Sequence, residues 1–530
     1  MPAASSTDAS AATTHPLRTA WLLVGLGVLL RWVLATAVPL LPDEAYYWEW
    51  SRRLAPGYFD HPPGIAYLIA LGTALLGATP AGVRFGPAIA GLLTVLGILT
   101  LTRNVAAPGD APVAMRRAAL LALVLPVASL GLVLATPDAP LLLAVVAALL
   151  AFDRVIVAER GWRALGWWAV CGAAVGTAFV AKYMGVLIGG SIAAAVVVHP
   201  RLRAQLRRPG PYVAAIVSVL VFSPVVLWNA LEDWVSFRFQ LGHGFGGGGR
   251  GSILTRELEL VGGQLAIATP VLAVLLALAA WRDWRSPRAA AVVDPLRATR
   301  RFALATAVVL PAVFFVVSAL RKPVEANWLA LCYVPAIALL ASHQAPFARG
   351  RWYRGGVTFA GVVLAIAVGA LFVPGSPLKR NRQLAELGGW PRLADAASRA
   401  VADPYLAGTV DRWIAANRYQ DAAQLAFHVA GHPNVFALNL ASRPNQYDLW
   451  QRSTAMNATP PRLRQGDGLV AVFETGTKGD SLARVVAGWF ADARPAGRVS
   501  LTGTDDPRGA RQLWMYRLYR GRPDDAEGAR

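Results

Sequence analysis

Apolar runs of about 18 to 25 residues recur along roughly the first seventy per cent of the chain, separated by short polar stretches. Their lengths predict membrane-spanning helices at roughly 19–40, 82–102, 117–135, 138–157, 163–181, 183–199, 211–229, 264–281, 302–320, 327–343 and 356–374, about eleven in all. The stretch 64–78 is apolar but short, and reads as a juxtamembrane or re-entrant helix. Residues 1–18 are polar and read as a disordered cytoplasmic N-terminus. The run that follows is too long for a signal-peptide core and reads as an uncleaved helix. From about residue 376 the pattern changes. Amphipathic stretches such as RWIAANRYQDAAQLAFHVAG, read as helix, alternate with strand-like NVFALNL, GLVAVFET and RQLWMYRLY. The fold class is therefore mainly α and polytopic: a transmembrane bundle over 19–375 and an α/β domain over 376–530, with no internal repeat.

Charge orients this bundle. Placing the N-terminus inside puts the arginine-bearing loops RNVAAPGDAPVAMRR, DRVIVAERGWR, PRLRAQLRRPG, WRDWRSPRAAAVVDPLRATRR and HQAPFARGRWYRG on the cytoplasmic face. An odd number of spans leaves the C-terminal domain on the opposite side. Composition agrees: the 530 residues are 55% hydrophobic and 15% charged. The net charge of +20 does not indicate nucleic acid, because the arginines cluster between apolar runs as topology requires. Cys171 and Cys332 both lie in apolar runs and give neither a disulfide framework nor zinc spacing.

The candidate chemistry collects on the non-cytoplasmic side. Carboxylates at a membrane boundary are costly unless paired or hydrated, so they mark function more often than not. Asp43 and Glu44 follow directly on the first helix, in LPDEAYYWEW, and open a catalytic-loop candidate over about 41–81. Tyr46, Tyr47, Trp48, Trp50, Tyr58 and Phe59 lie in the same loop, suited to stacking on sugar faces or to seating it among headgroups. Asp60 and His61 precede two prolines that stiffen the backbone. Asp138, in ATPDAPLLL, opens a helix and is either a cap or a functional acid. Lys182, in a turn between two helices, either snorkels or meets a phosphate. Arg321 and Lys322 of RKPVEANW are either an interfacial anchor or a grip on a lipid phosphate. Arg31 lies inside the first helix and must face a polar interior or a headgroup. The segment 230–263, with its run GFGGGGRGS, reads as a flexible outer flap or linker.

Taken in order, LPDEAYYWEW, YFDHPPG, ATPDAPLLL and AKYMGVL resemble glycosyltransferase family 39, the protein O-mannosyltransferases and the aminoarabinose transferases of lipid A. EANWLALCYVPAIALL and YQDAAQLAFHVAGHPNVFALNLASRPNQYDLW look like its bacterial branch, so the resemblance covers about residues 20–450. It implies a GT-C fold with a large first extracytoplasmic loop, in a bacterial inner membrane. It implies a sugar donor carried on polyprenyl phosphate and an envelope glycan, glycolipid (lipid A-type) or protein as acceptor. Asp43 matches the acid that activates the acceptor, and Glu44 its neighbour that positions substrate or a cation. His61 stands where relatives carry Lys or His. Asp138 and Lys182 match the acid and the lysine of the later turns. Unlike lysine, His61 carries a charge that depends on pH. No cofactor is required on this reading, and a divalent cation near Asp43 and Glu44 is compatible with it.

The implied reaction is glycosyl transfer with inversion. Its leaving group is already a stable anion and needs charge stabilisation, from Lys182, Arg321, Lys322 or His61, more than protonation. The competing class is a transporter or flippase of lipid-linked sugars without chemistry. That class more often shows repeated halves and broken helices near mid-membrane.

Overall fold

The computed structural model describes residues 6–158, 160–245, 252–285, 293–373, 386–452, 463–502 and 509–521. The chain divides into two units: Met1–Ala37 with Ala55–Ile366, and Val38–Leu54 with Ala367–Arg530.

The first unit is a helical membrane bundle, and the protein is multi-pass. Seven described helices are long and apolar enough to cross a membrane, or nine if two sharply bent pairs each count as one span. The other expected segments are helical but interrupted. The segment expected at 264–281 straddles a 101° bend between Ile253–Ala268 and Pro270–Arg285. Thr269, just before Pro270, takes φ 62° there, outside the helical region that a proline disfavours in the residue ahead of it. The segment expected at 117–135 stops at Val124, one residue short of the Leu125–Pro126 pair, and resumes as a single turn, Pro126–Ser129. The 327–343 segment is a 3-10 turn leading into the short helix Ala330–Ser342. Gly64–Leu76 is the short apolar helix expected. The first helix starts at Ser6, well ahead of the expected 19, since alanines 9, 11 and 12 favour helix.

Helices break at a cost in an apolar medium, because each break frees carbonyls that no water can satisfy. Arginines meet them. Pro126 has no N–H for the Ala122 carbonyl four residues back. Arg31 Nη2 reaches that carbonyl at 3.4 Å and the Ala128 carbonyl at 2.9 Å. Arg84 donates to the last carbonyls of the first helix, at Leu34 and Ala35. Arg117 caps Ala341 at 2.8 Å, and Arg301 reaches Val105 at 3.2 Å. Helix pairs also close through small residues. A β-carbon at Gly172 would lie 2.2 Å from the Ala214 carbonyl oxygen, and one at Gly176 2.7 Å from that of Ser218. Helices 161–181 and 210–231 therefore touch backbone to backbone. Cys171 and Cys332 are buried free thiols.

The second unit is α/β. Its strands are β1 (Arg412–Ala416), β2 (Val435–Ala437), β3 (Gly468–Glu474), β4 (Phe490–Ser500) and β5 (Ala510–Tyr519), in the order β2-β1-β3-β5-β4. β1 runs parallel to both β2 and β3, while β5 is antiparallel to β3 and β4. The stretch expected as one helix, 412–431, instead begins as β1 and becomes helix only over Tyr419–His428. Ile414 and the two alanines after it are buried in the sheet, with Trp413 half-buried beside them, a demand that overrides their local period. β4 carries Pro495 and Gly497 at a register shift, which an edge strand tolerates. Arg511 is wholly buried on β5, with Nε 2.6 Å from Asp421. Burial alone would lower its pKa, and Asp421, with Glu386 and Glu474, more than offsets that, so it is raised.

His428 lies at the end of the 419–428 helix, and burial, with the neighbouring His432 charge, pushes it down from 6.5 to about 4. The folded unit holds it neutral, while an unfolded chain takes up a proton below pH 6.5. Stability is therefore intact above pH 6.5 and is lost as pH falls towards about 4. Thermal unfolding of the full chain at both ends of that window checks this. His428→Gln should lose less stability on acidification than the parent.

Candidate active site

Lys182 and Asp138 stand at the ends of neighbouring helices that form a hairpin. Asp138 opens the helix Asp138–Ala158, and Lys182 closes the helix Gly161–Ala181. The positive N-terminal dipole end thus meets the carboxylate, and the negative C-terminal end meets the ammonium. Lys182 Nζ lies 2.8 Å from Asp138 Oδ1, and both residues are buried. Asn327 Nδ2 donates to the other oxygen, Asp138 Oδ2, at 2.8 Å. The carboxylate thus has a partner on each oxygen, and the ammonium keeps donors beyond the one that Asp138 uses.

The turn that supplies Asn327 is itself held. Arg256 Nε and Nη2 donate to the carbonyls of Ala319 and Leu320, at 3.0 and 2.8 Å. Gln264 Nε2 reaches the Ala326 carbonyl at 3.0 Å, and Tyr333 holds Gln264 Oε1 at 2.9 Å. Within the same turn, Arg321 is exposed and Lys322 Nζ donates to the Gly242 carbonyl.

The His61 segment abuts the Lys182 turn. A β-carbon on Gly64 would lie 2.8 Å from Ala181 Cα, so only glycine lets this backbone close on residue 181. Gln240 Nε2 binds the Asp60 carbonyl at 2.5 Å, and Phe59 packs on Phe239 with ring centroids 5.1 Å apart. The helix Val235–Phe245 thus covers the 59–60 segment, in the first half of the expected flap. Most of the glycine run, 246–251, lies outside the described residues.

Asp43 and Glu44 belong to the second unit. The stretch Pro42–Ser51 is a helix, with both acids in its first turn. Asp43 is exposed. Glu44 is buried and accepts the Leu41 N–H at 2.9 Å, so it caps the helix. The aromatic residues here are core rather than surface. Tyr46 packs at a tilt on Tyr419, with ring centroids 4.5 Å apart, and accepts the Gln446 N–H at 2.8 Å. Trp48 meets Phe427 edge-on at 5.0 Å. Tyr46, Tyr47, Trp48 and Trp50 are all buried, which rules out the expected sugar-stacking or headgroup role for them. Glu49 is fully buried between Arg52 (2.5 Å) and Arg53 (2.7 Å). Those arginines reach on to the His432 carbonyl and Asn434 Oδ1, each at 2.6 Å. Burial first, and the Glu49 charge second, holds the Tyr447 phenol well above its ordinary pKa.

Sequence reasoning placed Asp138 and Lys182 on the same side of the membrane; the structure pairs them and adds Asn327 as a third member. The quoted EANW motif contained that residue, but nothing local links it to a carboxylate 189 positions earlier.

Residues 60–228 match the family model described as dolichyl-phosphate-mannose-protein mannosyltransferase, and this interval contains His61, Asp138 and Lys182. The resemblance to glycosyltransferase family 39 holds. The lipid A galacturonosyltransferase RgtD of Rhizobium johnstonii is 30% identical over 270 residues, 49% of this chain and 54% of that one. The chain therefore spans about half the length of this curated relative. The crystal structure of ArnT from Cupriavidus metallidurans bound to undecaprenyl phosphate matches with a TM-score of 0.63 at 16% identity, over 93% of this chain and 97% of that one. Its apo form matches at 0.61, also at 16% identity and with the same coverage. At that identity the likeness establishes the fold, which is GT-C.

Removing one charge of the Asp138–Lys182 pair leaves the other buried and uncompensated, at a cost of about 3–5 kcal/mol. Asp138→Asn and Lys182→Met should each lower the unfolding temperature of the purified protein. The double variant should recover most of the loss. Additive losses would show that the pair is not coupled.

Proposed function

We propose that this chain is a membrane glycosyltransferase that moves a sugar from a polyprenyl-phosphate donor to an extracytoplasmic acceptor, a lipid A-type glycolipid, glycan or protein. The observation that carries the reading is the buried Lys182 ammonium, held by Asp138, whose other oxygen is held by Asn327, at the end of an apolar hairpin. A phosphate on a lipid tail needs a desolvated cation at the membrane boundary. Asp138, an anion, would not attract phosphate, and its role is to orient Lys182 and Asn327. Arg321, Lys322 and, when protonated, His61 add positive charge. The named activity of RgtD and the undecaprenyl phosphate in the ArnT title support this choice of donor and acceptor class.

In the reaction, the acceptor oxygen attacks the anomeric carbon from the face opposite the phosphate, and configuration inverts. The C1–O bond to phosphate breaks as the new glycosidic bond forms. The polyprenyl phosphate leaves with the electron pair, stabilised by Lys182. The acceptor proton passes to the Asp43 carboxylate, exposed in the first turn of its helix. Glu44 holds that turn through the Leu41 N–H. The reading needs no metal, and transfer should survive chelation. The membrane is the bacterial inner membrane, with Lys182 facing outward and the arginine-bearing loops inside.

Purified full-length protein incubated with a panel of polyprenyl-phosphate sugars and envelope acceptors tests this. Sugar transfer is expected, and Asp43→Asn should slow it by about 10²–10⁴-fold, the usual share of a general base. Transfer by Asp43→Asn at the parental rate would overturn the base assignment. Movement of lipid-linked sugar across vesicles without transfer would favour a flippase.

A further inference from the structure

Unlike Asp138 and Lys182, the third member of the cluster is not buried. Asn327 is exposed, in a single 3-10 turn, Ala326–Leu329, with Arg321, Pro323 and Glu325 exposed just before it. Its own packing therefore does not fix where its amide points. A turn that short has no hydrogen-bond ladder to stiffen it, so its position has to be set from outside.

Gln264 sets it. Its Nε2 donates to the carbonyl of Ala326, the residue before Asn327, at 3.0 Å. Its Oε1 accepts from the Tyr333 hydroxyl at 2.9 Å. A carboxamide can donate at one end and accept at the other, and here each end has its own partner. The close approach is built in. The helix Ile253–Ala268 leaves the direction of Pro270–Arg285 by 101° and packs on the 326–329 turn. A β-carbon on Gly263 would lie 2.9 Å from Ala326 Cβ, so any side chain at 263 would push this helix off the turn. From Tyr333 through Gln264, the Ala326–Asn327 backbone and Asp138, an unbroken run of contacts of 3.0 Å or less ends at Lys182.

The consequence falls on charge. With Asn327 on Oδ2, Asp138 holds Lys182 through Oδ1 alone, and the ammonium keeps its other donors for a phosphate. Without Asn327, both oxygens of Asp138 can turn to the ammonium and neutralise it more completely. We propose that Gln264 is a positioning residue for donor binding: by anchoring Ala326 it keeps Asn327 on Asp138, and so keeps Lys182 available to the phosphate of a polyprenyl-phosphate donor. This role rests on the polyprenyl-phosphate reading of the Lys182 cluster.

The test titrates undecaprenyl phosphate into purified full-length protein. Gln264→Leu should weaken binding by about threefold or more, and Asn327→Ala at least as much. In the Asn327→Ala background, Gln264→Leu should have no further effect, because it acts only through Asn327. A glutamine with a merely structural role would add its own loss to that of Asn327→Ala. Gln264→Leu also strands the Tyr333 hydroxyl, so Gln264→Leu/Tyr333→Phe serves as a second variant. It should unfold no earlier than Gln264→Leu and bind undecaprenyl phosphate as weakly. Parental affinity in both variants, or additive losses in the Asn327→Ala background, would overturn the role of Gln264 and leave the donor reading standing. A parent protein that does not bind undecaprenyl phosphate would overturn the donor reading and this role with it.

Discussion

The membrane bundle depends on satisfying backbone carbonyls where water cannot reach. The proline break at 126, and the ends of several helices, free acceptors inside an apolar unit. Arg31, Arg84, Arg117, Arg256 and Arg301 supply the donors, several of them from another helix. Guanidinium suits this task because it presents several N–H groups in a fixed fork and stays charged. Part of the chain's positive charge is thus internal structure rather than surface. The same device fixes the turn carrying Asn327, since Arg256 caps the helix just before it. The candidate site therefore inherits its precision from backbone capping.

Each unit holds a polar cluster of its own. The bundle holds a buried ion pair whose members each match the dipole end of their own helix. The α/β unit takes in the 38–54 segment as part of its core, through Tyr46, Trp48 and Glu49. That leaves Asp43 as the exposed acid of its turn, while Glu44 is spent on capping. A rigid helix with a buried aromatic face is a better mount for a general base than a loop.

The apolar runs made the bundle legible in the sequence, because span length follows directly from bilayer thickness. The breaks were marked by Pro126 and Pro270, but a length criterion alone does not weigh a proline inside a run. The α/β unit was legible where strands are short and apolar, as at 435–437 and 468–474. It was misread at Trp413 and Ile414, where burial in a parallel sheet decided against the local helical pattern. The fate of the 42–51 aromatics was not readable, because their partners lie some four hundred residues away, Tyr46 with Gln446 and Trp48 with Phe427. The Asp138–Lys182 pairing was not readable from the sequence, because its cause, two dipole ends meeting across a hairpin, needed the fold.

The account rests on Lys182 as the cation for the donor phosphate and on Asp43 as a group acting only in the chemical step. Titrating undecaprenyl phosphate into the parent, Asp43→Asn and the charge-neutral double variant Asp138→Asn/Lys182→Met separates the two roles without leaving a buried charge unpaired. The account predicts parental affinity for Asp43→Asn and a loss of about tenfold or more for the double variant. Parental affinity in the double variant would contradict it.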